Sequence, residues 1–190
     1  MQISLTNDQK LMRDAIRDFV HREVLPHRLQ WDEEQHFPRE VFAKMGELGL
    51  MGMLVPAEYG GAGLGYYEYK MAIEEIAQVC GSVGLSMAAH NSLCTGHILQ
   101  FGSHEQKAQW LPKLASGAWI GAWGLTEANT GSDAMRMQCV AKKAHMYTYT
   151  VVPHRAHWHP SWNVKTPVLY SCVGLTSQPP HFKACQWRYI

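Results

Sequence analysis

The apolar residues of this chain change their spacing once, at Trp119, and that change limits the folds open to it. Before Trp119 they recur every three or four positions in segments punctuated by Pro and Gly, whereas Trp119-Ile120-Gly121-Ala122-Trp123-Gly124-Leu125 is a short, mostly apolar run that ends in a polar turn. The first spacing buries one face of a helix; the second suits a strand bounded by turn residues. Helices first and the opening of a sheet afterwards make an α+β layout, an all-α bundle followed by the first strands of a β-domain.

Within the helical part, Thr6-Asn7-Asp8-Gln9 has the capping-box pattern, with a hydroxyl and an amide three residues apart to satisfy the free N–H groups of a helix start. Leu11, Met12, Ala15, Ile16, Phe19 and Val20 follow on one face, with Arg13, Arg17 and Asp18 on the other, and the helix is expected to end near Pro26. A second helix is expected from Pro38, with Val41, Phe42, Met45 and Leu48 as its stripe and Gly49 as its stop. A third runs from Tyr66 to Val79, where the adjacent carboxylates Glu74 and Glu75 point about a hundred degrees apart and read as a solvated face. Residues 83–101 are the most apolar stretch of the chain, so the helix they form is expected to be buried at the centre of the bundle. His90 and His97, seven residues apart in it, read as hydrogen-bonded core histidines, since two histidines without a third ligand make only a weak metal case. Gln106 to Leu111 gives one more short helix.

Glycines 60, 61, 63 and 65 cluster after Gly52-Met53-Leu54-Val55-Pro56, but their spacing does not fit G-x-G-x-x-G and no Lys-Ser/Thr pair follows. They are expected to make a turn between helices. A net charge of +1 gives no electrostatic case for nucleic acid or for an acidic membrane surface, and no apolar run is long enough to span a bilayer. The first residues lack the segments of a secretory signal, and five cysteines without close pairs suggest neither a disulfide framework nor a zinc knuckle. A reducing cytoplasm is the expected compartment.

The turn after the strand, Thr126-Glu127-Ala128-Asn129-Thr130-Gly131-Ser132-Asp133, gathers hydroxyls, an amide and a glycine free to adopt φ > 0. Such a turn can present main-chain N–H groups to a phosphate or to the polar rim of a flat heterocycle; it also suits a plain strand-end loop. At these residues a resemblance becomes specific. Leu125-Thr126-Glu127-Ala128-Asn129-Thr130-Gly131-Ser132-Asp133 resembles the flavin-contacting signature of the acyl-CoA dehydrogenases, close to the isovaleryl- and glutaryl-type members. Pro56-Ala57-Glu58-Tyr59-Gly60-Gly61-Ala62-Gly63, His90-Asn91-Ser92-Leu93, and Gln106-Lys107 through Gly117 agree with it in order, so the resemblance covers residues of about 4–143.

The resemblance implies a flavoprotein that binds FAD and performs α,β-dehydrogenation of acyl-CoA thioesters in fatty acid or branched-chain amino acid catabolism. It implies electron-transfer flavoprotein as the electron acceptor and a homo-oligomer, in the cytoplasm, or in the mitochondrial matrix if a targeting segment has been removed. By motif, Trp123, Leu125, Thr126, Gly131 and Ser132 would face FAD, Ser132 would also touch the acyl-CoA, and Leu93 and Cys94 would line the acyl pocket. No residue matches the family's catalytic base, and Glu127 is a structural residue of the motif. The resemblance divides the chain into a helical domain over 1–117 and the start of a middle β-domain over 118–143.

A tail over 144–190 departs from the family. It contains no acidic residue, holds five of the nine prolines, and has no sustained period beyond about Tyr147–Val152. The family's further β-strands and its C-terminal helical domain have no counterpart in it. The tail is expected to be out-of-frame translation or a misjoined terminus; His154, His157 and His159 within it do not make a metal site. On that expectation the chain is a truncated dehydrogenase, or alternatively a catalytically inactive helical fragment that serves as an interaction module.

Overall fold

A computed structural model describes residues 4–124, 131–132, 141–144, 148–151, 168–172 and 184–187. Helix α1 (Asn7–Glu23) starts as its capping box requires: Thr6 accepts from the Gln9 N–H, and the Gln9 side chain returns a bond to the Thr6 N–H. Its buried stripe is Ile16, Phe19 and Val20, while Leu11 stays exposed. Helix α2 (Arg28–Glu33) is not legible in the sequence, because it buries no residue and has no side-chain cap. Arg28 anchors it by donating to the Val79 carbonyl at 2.7 Å.

Helix α3 (Arg39–Glu47) buries Val41, Phe42 and Met45; Pro38 stands one position earlier than expected, as its N-cap. Gly49, at φ 76°, ends the turn that follows, and the Leu50 N–H reaches back to the Met45 carbonyl at 2.9 Å. The glycine cluster is the expected connector. Ala62, Gly63 and Leu64 donate back to Gly52, Val55 and Met53, and a Cβ at Gly61 would stand 2.0 Å from the Val55 oxygen, so only glycine closes this loop.

Helix α4 (Tyr66–Val79) packs on α1 and corrects one expectation. Glu75 is not on a solvated face: it is buried and accepts two bonds from Arg17 of α1, at 2.9 and 2.8 Å. Helix α5 (Gly81–Ala88), a π-helical segment (Ala89–Thr95) and helix α6 (Gly96–Phe101) continue one into the next, since the backbone is right-handed helical at each junction. This stretch buries a single stripe, Val83, Met87, His90, Asn91, Cys94, Thr95 and Ile98, rather than most of its sides; Leu85 is 72% exposed. Helix α7 (His104–Ala115) has a second capping box at Ser103 and Gln106 and runs through Pro112.

Two apolar clusters result. One joins α1, α3, α4 and α5 around Phe42, Met45, Met51 and Ile76; the other joins Cys94, Ile98, Trp110, Leu111 and Leu114. Strand β1 (Ile120–Gly124) enters where they meet, with Trp119 against the second and Ile120 against the first. It pairs in parallel with β4 (Val168–Cys172), which pairs antiparallel with β5 (Ala184–Trp187); β2 (Ala141–Ala144) and β3 (Thr148–Val151) form a separate antiparallel pair. The architecture is a helical bundle leading into strands. From its sequence, Met137-Gln138-Cys139-Val140-Ala141 also reads as a strand, but all of it except Ala141, which opens β2, lies outside the described residues; β4 and β5 arise where the sequence shows no period.

Candidate functional site

The candidate site forms where β1 meets the π-helical segment. A π turn frees main-chain groups from the regular helix ladder, and such segments concentrate at functional sites. Here side chains add bonds at the start of the segment: the Ala88 oxygen accepts from the Tyr69 hydroxyl at 3.0 Å and from the Ser92 hydroxyl at 2.7 Å. The Asn91 amide donates to the Leu50 carbonyl at 2.9 Å and to the Met87 carbonyl at 3.3 Å.

His90, fully buried, ties the segment to β1. Its Nδ1 accepts from the Gly121 N–H at 2.8 Å, so the proton must sit on Nε2, which donates to the Met51 carbonyl at 3.0 Å. Burial pushes its pKa down to about 4, against a smaller upward pull from the carbonyls of Met51 and Leu114. One turn on, Cys94 is fully buried, and burial pushes its thiol up to about 12 despite a hydrogen bond with the Ala122 backbone. A Cβ on Gly121 would lie 2.7 Å from the Cys94 sulfur, so the strand approaches this helix as closely as only glycine allows.

Beyond this seam β1 opens towards solvent. Trp123 stacks on His97, with ring centroids 6.0 Å apart and planes at 27°, and His97 also leans on Phe101 at 6.0 Å. The His97 Nδ1 bonds to the Leu93 carbonyl. The Trp123 Nε1 is buried and has no hydrogen-bond partner, whereas an ideal Cβ at Gly124 or Gly131 meets nothing within 4 Å. An indole N–H withdrawn from water and left unpaired calls for an acceptor.

Of the residues singled out from sequence, Trp123, Leu93 and Cys94 thus come together around one seam, Leu93 half-buried and Cys94 committed to β1. Gly131 and Ser132 form an exposed bend; Leu125 and Thr126 lie outside the described residues. His90 and His97 are hydrogen-bonded, His90 in the core and His97 half-buried beside Trp123, and among the described residues no group of three His, Cys, Asp or Glu could hold a metal. The tail histidines lie outside those residues. Sequence reasoning missed the bond from His90 to Gly121, which joins residues 31 apart and leaves no local signal. No helix among the described residues is long and apolar enough to cross a membrane.

Known proteins resemble this chain in sequence and fold. The family described as acyl-CoA dehydrogenase, N-terminal domain, matches residues 6–118. A probable acyl-CoA dehydrogenase of Bacillus subtilis (strain 168) is 47% identical over 134 residues, covering 70% of this chain and 35% of its own length. The mitochondrial short-chain specific acyl-CoA dehydrogenase of Sus scrofa is 43% identical over 176 residues, 93% of this chain and 42% of its own, so that alignment runs past Lys143 into the tail. Among solved structures, an acyl-CoA dehydrogenase complexed with FAD from Bacillus anthracis superposes with a TM-score of 0.68 at 34% identity, over 73% of this chain and 24% of that one. The chain spans 35 to 42% of the length of those two curated relatives, corresponding to their N-terminal part. By its helical bundle, its seam with the first strand and these matches, the chain belongs to the acyl-CoA dehydrogenase family.

Proposed function

We propose that this chain supplies the helical part and the first flavin-facing strand of an FAD-dependent acyl-CoA dehydrogenase that acts on acyl-CoA thioesters. The observation that carries the reading is the buried, unpartnered Nε1 of Trp123 at the open end of β1, directly before Leu125-Thr126-Glu127. FAD, when bound, supplies the acceptor for the hydride that leaves the β-carbon. The residues of this chain bind and orient. Trp123 offers its indole N–H and ring, Leu125 and Gly131 keep the backbone close to the flavin, and the Thr126 hydroxyl serves the isoalloxazine edge. Ser132 contacts the pyrophosphate or the CoA. Leu93, with Cys94 behind it, walls the acyl chain and keeps water from the carbon that loses its proton.

Loss of an α-proton from a thioester requires a base and hydrogen bonds to the carbonyl oxygen where negative charge develops. No residue of this chain matches the family's base, so proton removal falls outside what these residues supply. Electron-transfer flavoprotein is the proposed acceptor, a homo-oligomer the proposed assembly, and the cytoplasm, or the mitochondrial matrix after removal of a targeting segment, the proposed compartment. The test is the visible absorption spectrum of the purified chain before and after addition of FAD and an acyl-CoA. A bound-flavin spectrum that Trp123→Leu weakens supports the reading; no flavin binding even at high FAD overturns it and leaves the helical fragment as the better description.

A further inference from the structure

We infer that His90 is a positioning residue of this site: its neutral imidazole clasps the backbone of β1 and thereby sets where Trp123 stands. The inference rests on the reading of Trp123 as flavin-facing. Three segments meet at this one ring, namely the π-helical segment that carries it, the loop at Met51 that accepts from it, and β1 that donates to it. An apolar side chain would fill the same core volume but would leave the Gly121 N–H and the Met51 carbonyl without these partners in a dry environment. The imidazole therefore does something that packing does not need.

The geometry transmits the clasp to the site. Residues 121 and 123 share one face of the strand, because successive side chains alternate. His90 and His97, seven residues apart across the π-helical segment, meet that same face, His90 at the Gly121 backbone and His97 at the Trp123 ring. The close approach at Gly121, where an added Cβ would stand 2.7 Å from the Cys94 sulfur and 3.3 Å from the His90 Nδ1, leaves little freedom for the strand to slide. The indole of Trp123 is thus placed by a bond made two residues earlier.

The experiment measures two quantities on the whole chain, residue-resolved amide hydrogen exchange and the dissociation constant for FAD, in the wild type, His90→Leu and His90→Gln. Glutamine carries an acceptor oxygen and a donor nitrogen on one planar group and can serve both partners. In His90→Leu, Gly121 is expected to exchange about 10- to 100-fold faster, the span that one unpaired buried donor represents. The amides of α1 and α4 keep their protection, FAD binding weakens in step with Gly121, and His90→Gln recovers most of both losses. Unchanged Gly121 exchange in His90→Leu, equal loss of protection in α1 and α4, or a glutamine variant no better than leucine would each overturn the inference. Faster Gly121 exchange in His90→Leu, in a chain whose wild type binds no FAD, would overturn the flavin reading while upholding the clasp itself.

Discussion

The first apolar cluster and the seam between β1 and the π-helical segment are both buried, yet they are built differently. In the cluster, side chains interlock with one another, as where Phe37, just ahead of α3, stacks on Phe42 within it with centroids 4.8 Å apart, and few polar groups take part. At the seam, side chains grip backbone: His90 holds Gly121, and Asn91 holds Leu50. Interlocked side chains lose stability in proportion to the volume removed, because the cavity adds to the lost transfer energy. A side-chain-to-backbone grip is sensitive instead to protonation and to added volume. The bundle therefore gives the molecule its stability, and the seam fixes one strand in place.

The largest effect is expected in the cluster. Phe42→Ala removes a ring that is only 1% exposed and is expected to cost about 3–5 kcal/mol in chemical denaturation. A loss below about 1 kcal/mol would mean that α3 does not carry the bundle and would remove one side of the contrast.

Acid is the next probe, and it acts at the seam. The His90 pKa is lowered to about 4 from an ordinary 6.5, so the folded state keeps this ring neutral while the unfolded chain protonates it. The unfolded state then binds more protons between those two values. Stability from this group is full above about pH 6.5, falls as pH drops towards 4, and changes no further below; the total is about 3 kcal/mol. The groups facing the ring are the backbone of Met51, Leu114 and Gly121 and the neutral Cys94 thiol. Denaturant midpoints at pH 7 and pH 4.5 measure the fall. His90→Gln should flatten it, and an unchanged slope in that variant would assign the acid sensitivity elsewhere.

A pair of glycine substitutions sharpens the comparison by changing sign. Gly121→Ala forces a methyl into the 2.7 Å gap at Cys94 and is expected to cost about 1–3 kcal/mol. Gly81→Ala places the same methyl where nothing stands within 4 Å, at the start of α5, and is expected to be neutral or stabilising by up to about 1 kcal/mol. Thermal unfolding of the two variants side by side decides the matter; equal shifts would show that the approach of β1 is not a tight one.

These contrasts also explain what the sequence could disclose. Local rules wrote α1, because a capping box needs only residues three apart, and they wrote α4 from Tyr66 to Val79; α7 was expected only from Gln106 to Leu111, whereas it runs from His104 to Ala115 through Pro112. The flavin-type turn was legible as a motif, and His90 as a hydrogen-bonded core histidine. Glu75 was misjudged because its partner, Arg17, stands 58 residues away and no periodicity encodes it. The clasp on Gly121 was invisible for the same reason. Short α2 carries no buried stripe, so nothing in its residues marked it.

The smallest expected effect tests the remaining misjudgement, at Leu85. Composition places Leu85 inside the most apolar stretch of the chain, where a helix apolar on most sides belongs at the centre of a bundle. The structure instead turns it outwards, 72% exposed, one helical face away from the buried Val83 and Met87. A leucine that folding leaves in water contributes little, so Leu85→Ser is expected to change unfolding stability by less than about 0.5 kcal/mol. The same change should raise solubility by removing an exposed apolar group that soluble surfaces tolerate only singly. A loss above about 1 kcal/mol that grows with protein concentration would show that a second copy of the chain covers this face, and the contrast between a bundle closed on itself and a seam closed by strand β1 would then have to include a third surface.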